Sequence, residues 1–151
     1  MLLSIEGINQ IDKLIKEEST KLKTIQKEKA EAFQNDTNSW HDNSSYDIAV
    51  EQENQAFDEI NRLSKIKLEA EIIEYHYEKN KIDIGDKIIV EVENDKFTVI
   101  LTGKFIANKR EDEITLNSPL GKAIYKKTAG ETIRYKAGEH VNMVKIIEII
   151  H

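Results

Sequence analysis

The stretch Asp36-Thr37-Asn38-Ser39-Trp40-His41-Asp42-Asn43-Ser44-Ser45-Tyr46-Asp47 divides two long segments that both read as helix. Its Asp, Asn and Ser side chains hydrogen-bond to nearby backbone, which favours turns and helix starts over helix interiors. Two helices joined by so short a link fold back on one another, so this stretch is expected at the tip of a hairpin. A tip carrying Asp36, Trp40, His41 and Asp42 is the natural place to look for function. The competing reading is a solvated turn whose Asp and Ser side chains cap helices.

Upstream, Ile8, Ile11, Ile15, Leu22, Ile25 and Ala32 recur in steps of three and four, with Glu18 and Lys29 in the two remaining seam places. This heptad-like stripe predicts a helix over 5–34, uninterrupted by Gly or Pro after Gly7. At ~1.5 Å per residue it would be roughly 40–45 Å long, more than a compact core of this size can wrap, so the helix is expected to project. Downstream, Ala49, Ala56, Ile60, Leu63, Ala70, Ile73 and Tyr77 form a second stripe, whose alanines let two helix axes approach closely. From Asp42 to Glu78 there are 10 acids and 3 bases, whereas the first helix holds six lysines between Lys13 and Lys29. Lys13, Lys16, Lys23 and Lys27 are candidates for a basic strip facing RNA, weighed against an ordinary solvated helix face.

After Glu78 the pattern turns to alternation. Strands are expected in Lys81–Val92, Phe97–Thr102, Glu113–Leu116, Thr132–Tyr135 and Val141–Ile150, with a turn signal at Asp83-Ile84-Gly85-Asp86. Ser118–Lys127 reads as one short helix with Ser118 as N-cap and Pro119 as its first residue, stopped by Thr128-Ala129-Gly130. The fold class is therefore α+β: an antiparallel coiled-coil hairpin over 1–78 and a small antiparallel sheet domain with one short helix over 79–151.

The 151 residues carry a net charge of −6, divided unevenly: 9 basic against 17 acidic residues in 1–78, and 13 against 11 in 79–151. An acidic chain argues against free duplex DNA as the main ligand. Without cysteine there are no disulfides or thiolate metal sites. No apolar run approaches the ~20 residues of a membrane helix, and the opening MLLSIEGINQ lacks a basic leader, so a cytoplasmic protein without membrane contact is expected. There is no P-loop, GxGxxG or GxSxG, and His41, His76, His140 and His151 are scattered. An isolated exposed carboxylate such as Asp42 or Asp36 binds Mg²⁺ poorly, because the ion keeps its waters. Such a group becomes useful where something else already holds the metal, which suits a tool acting in another molecule's site more than an enzyme.

Two motifs carry a family resemblance. Asp42-Asn-Ser-Ser-Tyr46-Asp47-Ile-Ala49-Val-Glu51-Gln-Glu53-Asn-Gln55-Ala-Phe57, leading on to Ile60-Asn-Arg62-Leu63, resembles the tip and second helix of the Gre-type transcript cleavage factors of bacterial RNA polymerase. Asn117-Ser118-Pro119-Leu120-Gly121-Lys122-Ala123, then Lys126-Lys127-Thr-Ala-Gly130-Glu131, is similar to the S-P-[IL]-G-[KR]-A…G-K-x-x-G-[DE] stretch of that family's C-terminal domain. The resemblance implies an FKBP-like C-terminal domain that docks at the mouth of the polymerase secondary channel, with Ser118, Pro119, Leu120, Gly121 and Lys122 as candidate docking residues. It implies a hairpin that threads the channel to the nascent RNA 3′ end. Its tip (Asp36, Ser39, Trp40, His41, Asp42, Asn43 and Tyr46) would present Asp42 to a Mg²⁺ held by the polymerase, with no cofactor or catalytic activity of its own. A monomer is expected.

The loop departs from the family pattern at the acids: Ser39 and Ser45 stand at the first and third acidic places, and Asp42 alone keeps the middle one. That departure sets a second expectation, occupancy of the channel without cleavage, beside cleavage stimulation. A third, an FKBP-like prolyl isomerase or chaperone, is disfavoured because 79–151 offers only Phe97, Phe105, Tyr125 and Tyr135 for an aromatic pocket.

Overall fold

The computed structural model describes residues 1–35, 44–78, 80–92, 94–108 and 112–151. Helix α1 (Ile5–Asn35) runs for 31 residues. Ser4 starts it: its Oγ accepts from the Gly7 N–H at 3.2 Å, which satisfies one of the free donors of the first turn. Helix α2 (Ser44–Leu68) follows. The two are antiparallel, because their contacts pair rising positions with falling ones: Lys67 Nζ with Asp12 Oδ1 at 2.6 Å, Gln26 Nε2 with Glu53 Oε1 at 3.0 Å, and Phe33 with Tyr46 near the far end.

The seam is the one the periodicity predicts. Ile11, Ile25, Ala49, Ala56 and Leu63 are buried, and Ile25, Ala49 and Ala56 pack together with Leu22 against them. Lys29 keeps its seam place by pairing with Glu53 across the hairpin, and Gln26 donates to the same carboxylate.

The second stripe does not run its expected length. α2 stops at Leu68, and Ala70, Ile73 and Tyr77 are not helical. Glu71–Ile72 instead form β2, parallel to β1 (Leu2–Leu3), a pairing the sequence reading did not anticipate. Backbone bonds account for it: Glu71 N–H donates to Met1 O and Ile73 N–H to Leu3 O, both at 2.9 Å. Ile73 is thereby delivered to the core of the sheet, while Tyr77 stays 62% exposed. The chain accordingly divides into one unit of Ile11–Glu69 and another of Met1–Gln10 with Ala70–His151, so residues 1–10 and 70–78 group with the sheet and not with the hairpin.

In the sheet unit, β3 (Lys87–Val92), β4 (Asp95–Thr102), β5 (Glu113–Thr115), β6 (Thr132–Ala137) and β7 (His140–Ile150) are ordered β5-β4-β3-β7-β6. All neighbours are antiparallel except β4 and β5. Ile88 and Val90 of β3, Val99 and Leu101 of β4, and Val144 and Ile146 of β7 alternate onto one face, where Ile82, Ile84, Leu116 and Ile124 complete the core. β3 is shorter than the expected Lys81–Val92 because Asp83–Asp86 folds as a turn, with Gly85 at φ +96° donating its N–H to Leu101 O. Helix α3 (Pro119–Ile124) is likewise shorter than expected: Tyr125 leaves helical geometry and Lys126 adopts φ +60°. The N-terminal segment crosses the end of β4 closely. At Gly7 a Cβ would fall 2.5 Å from Gly103 O, so only glycine allows that approach.

Candidate functional site

Three regions carry the residues singled out in the sequence. The first is the far end of the hairpin. Phe33 and Tyr46 face each other with ring centroids 6.1 Å apart at a 49° tilt, where the two helices flank the connecting segment. Tyr46 therefore packs within the hairpin. Asp36, Ser39, Trp40, His41, Asp42 and Asn43 belong to that segment and lie outside the described residues. Ser45 is exposed in the first turn of α2.

The second region is the outward face of α1. At 100° per residue, Lys13, Lys16, Lys23 and Lys27 fall within an arc of about 80°, and all four are exposed. Lys13 meets Glu17 at 3.8 Å and Lys27 meets Glu31 at 3.7 Å. Lys16 and Lys23 have no carboxylate partner among the described residues. Exposed i,i+4 pairs are weak and exchange readily, so the stripe can meet an anionic ligand at small cost.

The third region is the Asn117–Glu131 motif, which is consumed chiefly by the fold. Ser118 Oγ accepts from Gly121 N–H at 3.0 Å and donates to Thr115 O at 2.7 Å, capping α3 as the sequence predicts. Gly121 is buried, and a Cβ there would lie 2.1 Å from Thr115 O. Leu120 packs against the core and Ile124 is fully buried. Asn117 extends the β1 ladder with its amide: Nδ2 donates to Leu2 O at 2.6 Å and Oδ1 accepts from Leu2 N–H at 3.3 Å. Glu131 closes its loop by accepting from Thr128 N–H and Oγ1, both at 2.8 Å, and those bonds hold its carboxyl below the usual range. Of the candidate docking residues, Pro119 and Lys122 are left exposed.

The sequence reading missed a charged cluster beneath this motif. Asp83 and Asp86, taken only as turn formers, are each 1% exposed. Asp83 accepts from Lys126 Nζ at 2.6 Å and from His76 N–H at 3.2 Å, and Asp86 accepts from Asp83 N–H at 2.7 Å and faces His151 Nδ1 at 3.0 Å. Lys126 also reaches Glu78 at 3.0 Å, and Lys81 meets the same carboxylate at 2.7 Å. The bonds from Lys81 and Lys126 bring Glu78 down to about 2, while the Asp83 bond raises Lys126 well above its ordinary value. The available signal was two acids three apart in a short turn next to a lysine-rich loop, which a turn assignment absorbs. Among the described residues no group of three or more His, Asp or Glu is placed to hold a metal ion, and no helix is long and apolar enough to cross a membrane.

Residues 77–151 match the family model described as "Transcription elongation factor, GreA/GreB, C-term". A transcription elongation factor GreA of Caldanaerobacter subterraneus subsp. tengcongensis is 30% identical over 161 residues, spanning 99% of this chain and 96% of the relative. The chain belongs to the GreA/GreB transcription elongation factor family. A second GreA, from Thermotoga sp. (strain RQ2), is 26% identical over 116 residues, covering 73% of this chain and 72% of its own. Among solved structures, GreA factor homolog 1 (Gfh1) of Thermus thermophilus is similar at 19% identity and a TM-score of 0.46, over 100% of this chain and 99% of that one. As a GreA/GreB member, the chain owes Ser118, Leu120 and Gly121 of the shared motif to capping and core packing, whatever else the motif does.

Proposed function

We propose that this chain is an accessory factor of RNA polymerase that enters the secondary channel and promotes cleavage of backtracked RNA. What supports the reading is the hairpin: two uninterrupted antiparallel helices flank the segment 36–43, which contains Asp42. α2 alone spans about 37 Å at ~1.5 Å per residue. In this reading Asp42 adds a carboxylate oxygen to a Mg²⁺ that the polymerase holds and orients the attacking water, and the polymerase performs the hydrolysis. Two-metal hydrolysis clamps the attacking and leaving oxygens, and another carboxylate tightens that clamp. Lys13, Lys16, Lys23 and Lys27 face the displaced RNA 3′ segment. Pro119 and Lys122 are the members of the Ser118–Lys122 set free to touch the polymerase.

The test is transcript shortening in stalled, backtracked complexes with magnesium varied. The chain should accelerate shortening and lower the magnesium requirement, and Asp42→Asn should abolish the acceleration while leaving polymerase binding intact. Equal shortening with and without bound protein sinks the cleavage role. Ser39 and Ser45, standing where the family pattern has acids, favour the second reading: occupancy of the channel without cleavage. In that case the chain should slow the action of a separate, active cleavage factor on the same complexes.

A further inference from the structure

The β6–β7 hairpin has a face that the core does not use. Residues 145–150 of β7 pair with β3, whereas 140–144 pair with β6 alone, so the two strands run on past the sheet as a ribbon. Ile133, Tyr135 and Val144 turn toward the core, which places Arg134, Lys136, Val141, Met143 and Lys145 on the opposite face. In register, Arg134 lies opposite Met143 and Lys136 opposite Val141. Lys145 lies opposite Glu91 of β3, and beyond it comes Lys96 of β4. Met143 is 59% and Val141 50% exposed. Arg134, Lys136, Lys145 and Lys96 are exposed and form no ion pair with a described carboxylate. Glu91, in this register, is half-buried, and Glu139 lies in the adjoining turn.

Charges on an edge strand guard against sheet-to-sheet aggregation, which accounts for Arg134 and Lys136 on β6. It does not account for Met143 and Val141 beside them, since exposed apolar residues work the other way. A phosphate backbone would satisfy the cations but would leave both apolar side chains uncovered. The face also has no aromatic ring on which a base could stack, because Tyr135 packs on the core side and Phe97 shares the face of Val90. Adaptable methionine ringed by arginine and lysine suits a protein surface with an apolar centre and an acidic rim.

We propose that this ribbon face docks an acidic amphipathic protein helix. Its apolar side chains cover Met143 and Val141, and its carboxylates meet Arg134, Lys136, Lys145 and Lys96. The inference is independent of the hairpin's role. It is tested with the full chain and a labelled synthetic 20-residue helix carrying leucines every three or four positions flanked by glutamates, read by fluorescence anisotropy. Binding should weaken as salt rises. It should fall roughly tenfold or more in R134E/K136E, and about three- to tenfold in M143A. The charge-matched K21E/K65E variant should bind as the parent does, and all variants should keep the parent's circular dichroism. No binding, or binding indifferent to R134E/K136E, overturns the proposal. So does tighter binding of a 20-bp DNA duplex that ignores Met143, which makes the face a nucleic-acid surface. A free chain that self-associates through Arg134 and Lys136 also overturns it, by assigning the face to a second copy.

Discussion

Asp83 shows what a single side chain can demand of its surroundings. Its carboxylate is 1% exposed and is compensated by Lys126, a residue held at φ +60°, where only glycine is at ease. Replacing Lys126 by Met leaves that charge buried without its cation. The expected cost is about 3 kcal/mol, at the low end of the range for a broken buried pair because the Lys126 side chain is 32% exposed. A lower urea midpoint checks it. Glu78 gives a pH dependence whose direction follows from its shift. Its folded value is lowered to about 2 from 4.5, so its contribution is fully present above pH 4.5 and is lost as pH falls toward 2. Denaturation midpoints followed over that window should decline less steeply in Glu78→Gln than in the parent. Gly121→Ala puts a Cβ 2.1 Å from Thr115 O and should destabilise the sheet unit by about 3 kcal/mol, measured the same way.

At the scale of elements, the hairpin is held by a narrow seam in which alanines set the helix spacing. Ala56 is 2% exposed and Ala49 6%, with Ile25 filling the space between them. Ala56→Leu should therefore force the helices apart and cost about 1–3 kcal/mol, whereas Ile25→Ala, which leaves a cavity, should cost about 2–4 kcal/mol. Thermal melting followed by far-ultraviolet circular dichroism distinguishes these from surface changes such as Lys23→Ala, which should be silent. Lys29 is the instructive seam position. A charge there was expected to cost stability and to fix register, and the partner that makes it tolerable, Glu53, stands on the other helix with Gln26 as a second donor. The bonds from Lys29 and Gln26 keep the Glu53 carboxyl below its ordinary range. α2 ends short of its stripe because strand pairing with Leu2–Leu3 offered residues 71–73 better-satisfied backbone and gave Ile73 a place in the sheet core.

At the scale of the whole molecule, the hairpin's length is the quantity that its proposed task selects. Removing one heptad from each helix, residues 15–21 of α1 and 58–64 of α2, keeps the seam in phase and shortens the arm by about 10 Å. The shortened chain should remain helical by circular dichroism yet fail to accelerate cleavage in backtracked complexes. Full activity would show that arm length is not what matters. The sequence by itself determined the helices, the alternation of the strands, the Ser118 cap and the family, because each of these is written within a few residues of itself: a 3.5-residue repeat, a period of two, a side chain bonding three positions on. Only the tertiary structure decided that Leu2–Leu3 pairs with Glu71–Ile72, that Asn117 pins Leu2, and that two turn-forming aspartates become a buried anionic centre for Lys126. Those contacts join residues far apart in the chain, and a strand of two residues or a single buried carboxylate leaves no periodic trace from which a partner so distant can be read.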